Sequence, residues 1–285
     1  MTSIPTRRVS FDEALAHTPR HFAADDDLIM SHLTASLSAA FPDGEDYFVR
    51  TVRHYRKQIT DPELKEQVKG FIGQESIHGR EHRAFNAHLA ELGYPTRRVE
   101  RIVKRALAFR ERVLSPETNL ATTAALEHFT ATLAALLLGN DEFRALTRPG
   151  PVLDLFLWHA LEEAEHKAVA FDVYRATGGR DRTRITTMKI IRVGFVIVLT
   201  LQVAASLLGD RATYQRGRLR SSWKRFRRSA FLGTELREAL RDYDRVDFHP
   251  NQHPTDELVD EWRNRLFGAE GTLNDKLLTP PTLAA

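Results

Sequence analysis

Two Glu-x-x-His pairs, Glu75–His78 and Glu163–His166, sit in stretches whose apolar residues recur at helical spacing. On an α-helix, residues three and four apart share a face. Around the first pair, Phe71, Glu75, His78, His82, Phe85 and Leu89 keep a four-three rhythm. Around the second, His159, Glu163 and His166 fall on one line between Phe156 and Val173. Carboxylates and imidazoles on an inward-turned face are costly unless something neutralises them. Whatever this chain folds into must supply that neutraliser.

Two more stretches carry acid on an apolar face. Glu45 precedes Phe48 and Val52, and Glu127 lies among Leu120, Ala124, Ala131 and Ala134. Chance alone supplies roughly one Glu-x-x-His pair in a chain of this composition, so the weight rests on the joint order. That order is Glu, Glu-x-x-His, Glu, Glu-x-x-His, each on a separate expected helix. Four Glu converging with two His suit two divalent iron or manganese ions, each holding one terminal Glu and one His, with the other carboxylates bridging.

The spacing predicts helices over about 27–40 and 45–59, with a break at Phe41-Pro42-Asp43-Gly44. Asp61-Pro62 opens a helix that stops at Gly93, and a basic amphipathic helix follows from about Thr96 to Leu114. Ser115-Pro116-Glu117 caps an Ala- and Leu-rich helix, and Pro149-Gly150-Pro151 precedes one that runs to about Ala176. No alternating strand pattern of useful length appears. The fold class expected is all-α, a helical bundle with additional helices. Its expected parts are a polar, loosely structured lead-in (1–25), a di-metal bundle (26–180) and a C-terminal part (181–285).

At 285 residues the chain can bury a substantial core. It has no cysteine, which excludes thiolate zinc, iron–sulfur clusters, disulfides and a catalytic thiol. The first twenty residues lack an apolar signal core, so the expected location is cytoplasmic.

The wording of these segments resembles a known family. Phe41-Pro42-x-Gly44-Glu45, Phe71-Ile72-Gly73-Gln74-Glu75-x-x-His78, Ala125-Leu126-Glu127-His128-Phe129-Thr130 and Trp158-His159-Ala160-x-Glu162-Glu163-x-Glu165-His166-Lys167 resemble the proteins grouped as predicted metal-dependent hydrolases. Their order is similar to the ferritin-like di-metal carboxylate superfamily. The resemblance covers about Pro19 to Arg184 closely. On the last helix, His159-x-x-x-Glu163-x-x-His166 is similar to the di-iron arylamine N-oxygenases. Carried over, that likeness implies Glu45, Glu75, His78, Glu127, His159, Glu163 and His166 as metal ligands, a set resembling centres that bind dioxygen and transfer oxygen.

His82, one turn beyond His78, reads as a further ligand, a donor to a ligand, a proton shuttle with a catalytic part, or a satisfied core histidine. Glu162 and Glu165 read as flanking or surface groups, and His128 faces away from its stripe. Gly70, Gly73 and Gly79 leave room for a gas, a substrate or a close helix neighbour.

Beyond Gly179 the character changes. Residues 190–209 are almost wholly apolar, and between Arg211 and Ala230 there are eight Arg or Lys and no acid. The apolar stretch reads as a buried helix or homodimer seam, an interfacial helix, or a span. The basic run, with Trp223 and Phe226, reads as a solvated face or as a surface for anionic lipid at the inner face of the membrane. Nucleic acid is disfavoured, because no recognition motif accompanies the run.

The function expected from sequence is a di-iron or Fe/Mn oxidase or oxygenase, using dioxygen, an electron donor and a small organic substrate. The alternative is a metal-dependent hydrolase, for which zinc would serve. A metal or oxygen sensor is the non-enzymatic alternative.

Overall fold

The computed structural model describes residues 4–278. Its helices are α1 (Asp12–Leu15), α2 (Leu28–Tyr55), α3 (Pro62–Glu91), α4 (Thr96–Val113), α5 (Pro116–Gly139) and α6 (Asp141–Arg144). There follow α7 (Pro151–His166), α8 (Val169–Ala176), α9 (Asp181–Leu208), α10 (Arg218–Phe226), α11 (Thr234–Asp242) and α12 (Asp256–Phe267). Among the described residues there are two isolated β-bridges and no strand, so the fold is all-α.

The helix starts follow local chemistry. The Asp27 side chain accepts from Met30 N, Asp61 from Glu63 N and Ser115 from Thr118 N, each satisfying an otherwise orphaned donor. Pro62, Pro116 and Pro151 stand in first turns, where no intrahelical N–H is lost. Helices α2, α3, α7 and α5 pack in a closed ring, each touching the next. Glu45, Glu75, Glu127 and Glu163 all lie on the buried side of that ring.

The expected break at Phe41–Gly44 is absent, and α2 runs through Pro42. Proline removes the hydrogen bond that the Ser38 carbonyl would receive within the helix. Asn86 of α3 replaces it, donating from Nδ2 to Ser38 O at 3.1 Å, so the helix need not stop. The expected single helix to Ala176 is instead divided between His166 and Val169. At the turn, Lys167 Nζ donates to His253 O and Thr255 Oγ1 of the C-terminal part.

The lead-in is not loose either. Val9, Phe11 and Leu15 are fully buried, in one cluster with Phe85, Trp158, Trp262 and Leu273. It passes over α3 where only glycine fits: a Cβ on Gly70 would stand 2.5 Å from Ile4 Cβ, and one on Gly73 would collide with Thr6. The two glycines thus make room for the chain's own N-terminal strap, an irregular segment rather than the gas, substrate or neighbouring helix expected. Residues near the other end hold the strap down, with Ser10 N donating to Lys276 O and Leu278 N to Arg8 O.

Helices α5 and α9 are long and apolar enough to cross a membrane by length and composition alone. Helix α5 is largely buried in the ring. Helix α9 lies along α2 and α5, packing Phe195, Leu199 and Val203 against Met30, Leu33 and Leu37.

Candidate metal centre

All seven residues inferred as ligands converge. Donor atoms of Glu45, His78 and His159 lie within 4.8 Å of one another, as do those of Glu75, His78 and Glu163, and those of Glu75, Glu127 and His166. Every one of these side chains is buried. Glu75 and His78 belong to more than one group, so the cluster has two lobes that share donors. His166 Nε2 stands 3.0 Å from Glu75, 3.4 Å from Glu127 and 3.5 Å from Glu163. His159 Nε2 stands 3.0 Å from Glu163 and 3.8 Å from Glu45.

The outer ring nitrogens decide what the inner ones can do. Gln74 Nε2 donates to Pro5 O and to Glu165, so its Oε1 accepts from His166 Nδ1–H at 2.8 Å. His78 Nε2 lies 3.0 Å from Glu162 Oε2 and donates there. Ser38 Oγ donates to Asn86 Oδ1, accepts from His82 Nδ1–H, and leaves His82 Nε2 to accept from His159 Nδ1–H at 2.7 Å. Each imidazole therefore turns a lone pair inward, towards carboxylate oxygens. Acceptors facing acceptors at 3–4 Å call for a proton or a metal cation between them.

The unmet polar atoms say the same. Both oxygens of Glu45, Glu75 and Glu127, together with Glu163 Oε2, His78 Nδ1 and His166 Nε2, have no hydrogen-bond partner. The buried groups push one another's protonation apart. Burial, then Glu75 and Glu163, drives Glu45 well up, and burial with the same two neighbours drives Glu127 up. Burial opposes charge on His166 too, yet Glu163, Glu127 and Glu75 outweigh it and hold its pKa well above the usual. This donor set fits two divalent cations.

Residues 5–254 match the family model described as predicted metal-dependent hydrolase. The chain belongs to that family. Neither the curated proteins nor the solved structures compared with it give a match. Membership makes metal dependence the coarse functional statement, and the donor geometry agrees with it.

His82 lies outside the donor groups, with both ring nitrogens engaged by Ser38 and His159. The aromatic edges of Phe41 and Phe156 close over it at centroid distances of 4.9 and 5.4 Å. Burial, then His159, keeps its pKa well below the usual imidazole value. It stands behind His159, hydrogen-bonded to the ring nitrogen that faces away from Glu163. His128 donates to Ala239 O and takes no part in the centre.

Arg7 carried no sequence signal. Its guanidinium reaches Glu162 at 3.0 Å and grips Glu165 with two hydrogen bonds, at 2.7 and 2.8 Å. Glu162 and Glu165 are consequently buried anchors rather than surface groups. Burial raises the Glu162 carboxyl to about 8 even with Arg7 pulling it down, and its seat between Arg7 and His78 Nε2 works against that rise.

A cavity of about 90 Å³ reaches the centre at His159 and Glu163. Leu37, Phe41, Leu133, Phe156 and Phe231 line it. It is predominantly apolar.

Proposed function

We propose that the protein is a two-metal hydrolase acting on a small substrate with an apolar body. The inward lone pairs of His78, His159 and His166, set against carboxylate oxygens, carry the metal part of this reading. Family membership supports the reaction class. Glu45, Glu75, Glu127, Glu163, His78, His159 and His166 would hold the cations. Bound divalent metal supplies Lewis acidity and lowers the pKa of water, which is the chemistry hydrolysis needs.

The remaining work belongs to the chain. Glu162 and Gln74 fix the tautomers of His78 and His166, and His82 fixes that of His159. Phe41 and Phe156 exclude bulk water from the His159 side, and the apolar cavity positions the substrate beside Glu163.

Oxidation of the same substrate by dioxygen, with an external electron donor and iron as the metal, is the second reading. The observation favouring it is His159, a third imidazole in a four-carboxylate set and the wall of an apolar cavity. One comparison separates the two readings. Protein loaded anaerobically with Fe(II), and separately with Zn(II) or Mn(II), is assayed for metal content, hydrolysis of short apolar esters and oxygen uptake. Two metals per chain with ester turnover under zinc or manganese supports hydrolysis. Oxygen consumption with iron and no ester turnover selects the second reading, and less than one metal per chain removes both.

A further inference from the structure

We propose that this protein docks on an anionic phospholipid bilayer through the outer stripe of α9 and the basic, aromatic α10 segment that follows it. The outer stripe is formed by Ile190, Val193, Ile197, Leu201 and Leu208, exposed by 53 to 67%. Their spacing of three, four, four and seven puts them on one helical face. At 1.5 Å per residue the stripe is about 27 Å long. Charged residues do not interrupt it, whereas Ile191, Phe195, Leu199 and Val203 of the opposite side face the protein. An apolar surface of that extent is the mark of an interaction site.

The cations lie at one end of the stripe. His32 Nδ1 bonds Ser206 Oγ near the end of α9, and Ile29 N donates to Ser222 Oγ of α10, so both elements meet the first turns of α2. Arg225 pairs with Asp27, and Arg218 donates to Asp26 O. The exposed side chains of Arg211, Arg216, Arg220, Lys224, Arg227 and Arg228 have no ion-pair partner among the described residues. Tyr214 and Trp223, exposed by 69 and 50%, stand among them. Such amphipathic rings favour the bilayer–water boundary.

A second copy of the chain would cover the stripe but leave the cations unanswered. Nucleic acid would answer the cations but has no use for a long aliphatic face. An anionic bilayer meets both, with the stripe at the acyl boundary and the cations among the headgroups.

The test uses the full chain with vesicles of phosphatidylcholine alone and with about one-third phosphatidylglycerol. Trp158 and Trp262 are already buried, so a blue shift of tryptophan emission on binding reports Trp223. The expected result is co-sedimentation with the anionic vesicles only, accompanied by that shift. Each cation near the surface strengthens binding about fivefold, so Arg227→Glu with Arg228→Glu is expected to weaken it more than about tenfold. Ile197→Glu, at an exposed position, should weaken it independently while the thermal melt stays unchanged. Equal binding to neutral vesicles, no binding, or indifference to these substitutions overturns the proposal. So does a homodimer that Ile197→Glu dissociates without any vesicle binding, or tighter binding to duplex DNA than to anionic vesicles.

Discussion

Arg7 Nη1 lies 3.0 Å from Glu162 Oε1, and the other oxygen of that carboxylate lies 3.0 Å from His78 Nε2. A residue near the start of the chain thereby orients an imidazole of the centre. Arg7 also clamps Glu165, which accepts from Gln74 Nε2, and Gln74 in turn accepts from His166. One guanidinium therefore steadies two of the three inward histidines.

Removing it should be costly on two counts. Arg7→Met leaves Glu162 and Glu165 without their principal counter-ion, for an expected loss of about 3–5 kcal/mol. It should also weaken metal affinity about 10–100-fold, because the histidines lose their orientation. Thermal denaturation and competition with a chromophoric chelator read the two effects separately. Unchanged metal affinity in a folded Arg7→Met variant would show that the relay does not set the histidines.

His82→Phe distinguishes positioning from ligation. The variant should bind the full complement of metal at saturation, with affinity reduced about 10–100-fold. Metal analysis at saturation, paired with a competition titration, measures both. Loss of one whole metal would instead make His82 a ligand.

The passage of α2 through Pro42 makes a two-residue prediction. Asn86→Leu strands the Ser38 carbonyl and should cost about 1–3 kcal/mol in urea unfolding. Pro42→Ala restores an N–H beneath that carbonyl and should recover part of the loss in the Asn86→Leu background. Its effect in the native background should be smaller. Strict additivity of the two changes would refute the compensation.

Acid should loosen the joint between α2 and α9. Burial lowers the His32 pKa to about 4, despite the pull of Asp210. The unfolded imidazole titrates near 6.5, so this contribution is complete above about pH 6.5 and is lost as pH falls towards 4. Integrated over that window it amounts to about 3 kcal/mol. Stability followed from pH 7 to 4.5 should fall by about this much less in His32→Phe than in the native protein, where His128, lowered to about 4 as well, adds to the decline.

The sequence exposed the centre because its signal is periodic. Glu75, His78, Glu163 and His166 lie on regular helices, where spacing alone fixes a face, and the structure finds them buried together. The parts that escaped are those that periodicity cannot report. Pro42 reads locally as a breaker, and only the long-range bond from Asn86 shows why it is not one. Arg7 belongs to an irregular segment 155 residues from Glu162, with nothing nearby to announce the pairing. Gly70 and Gly73 signalled close approach, but the neighbour they accommodate lies in the lead-in that composition marked as loose.

Glu165 receives Arg7 from one end of the chain and Arg263 from the other, the latter at 3.1 Å. During synthesis the four donor-bearing helices are complete once His166 has emerged, yet the second bolt on Glu165 is still to be made. Of the two clamps on Glu165, the one from Arg7 is available as soon as α7 forms, and only the one from Arg263 waits for the C-terminal part.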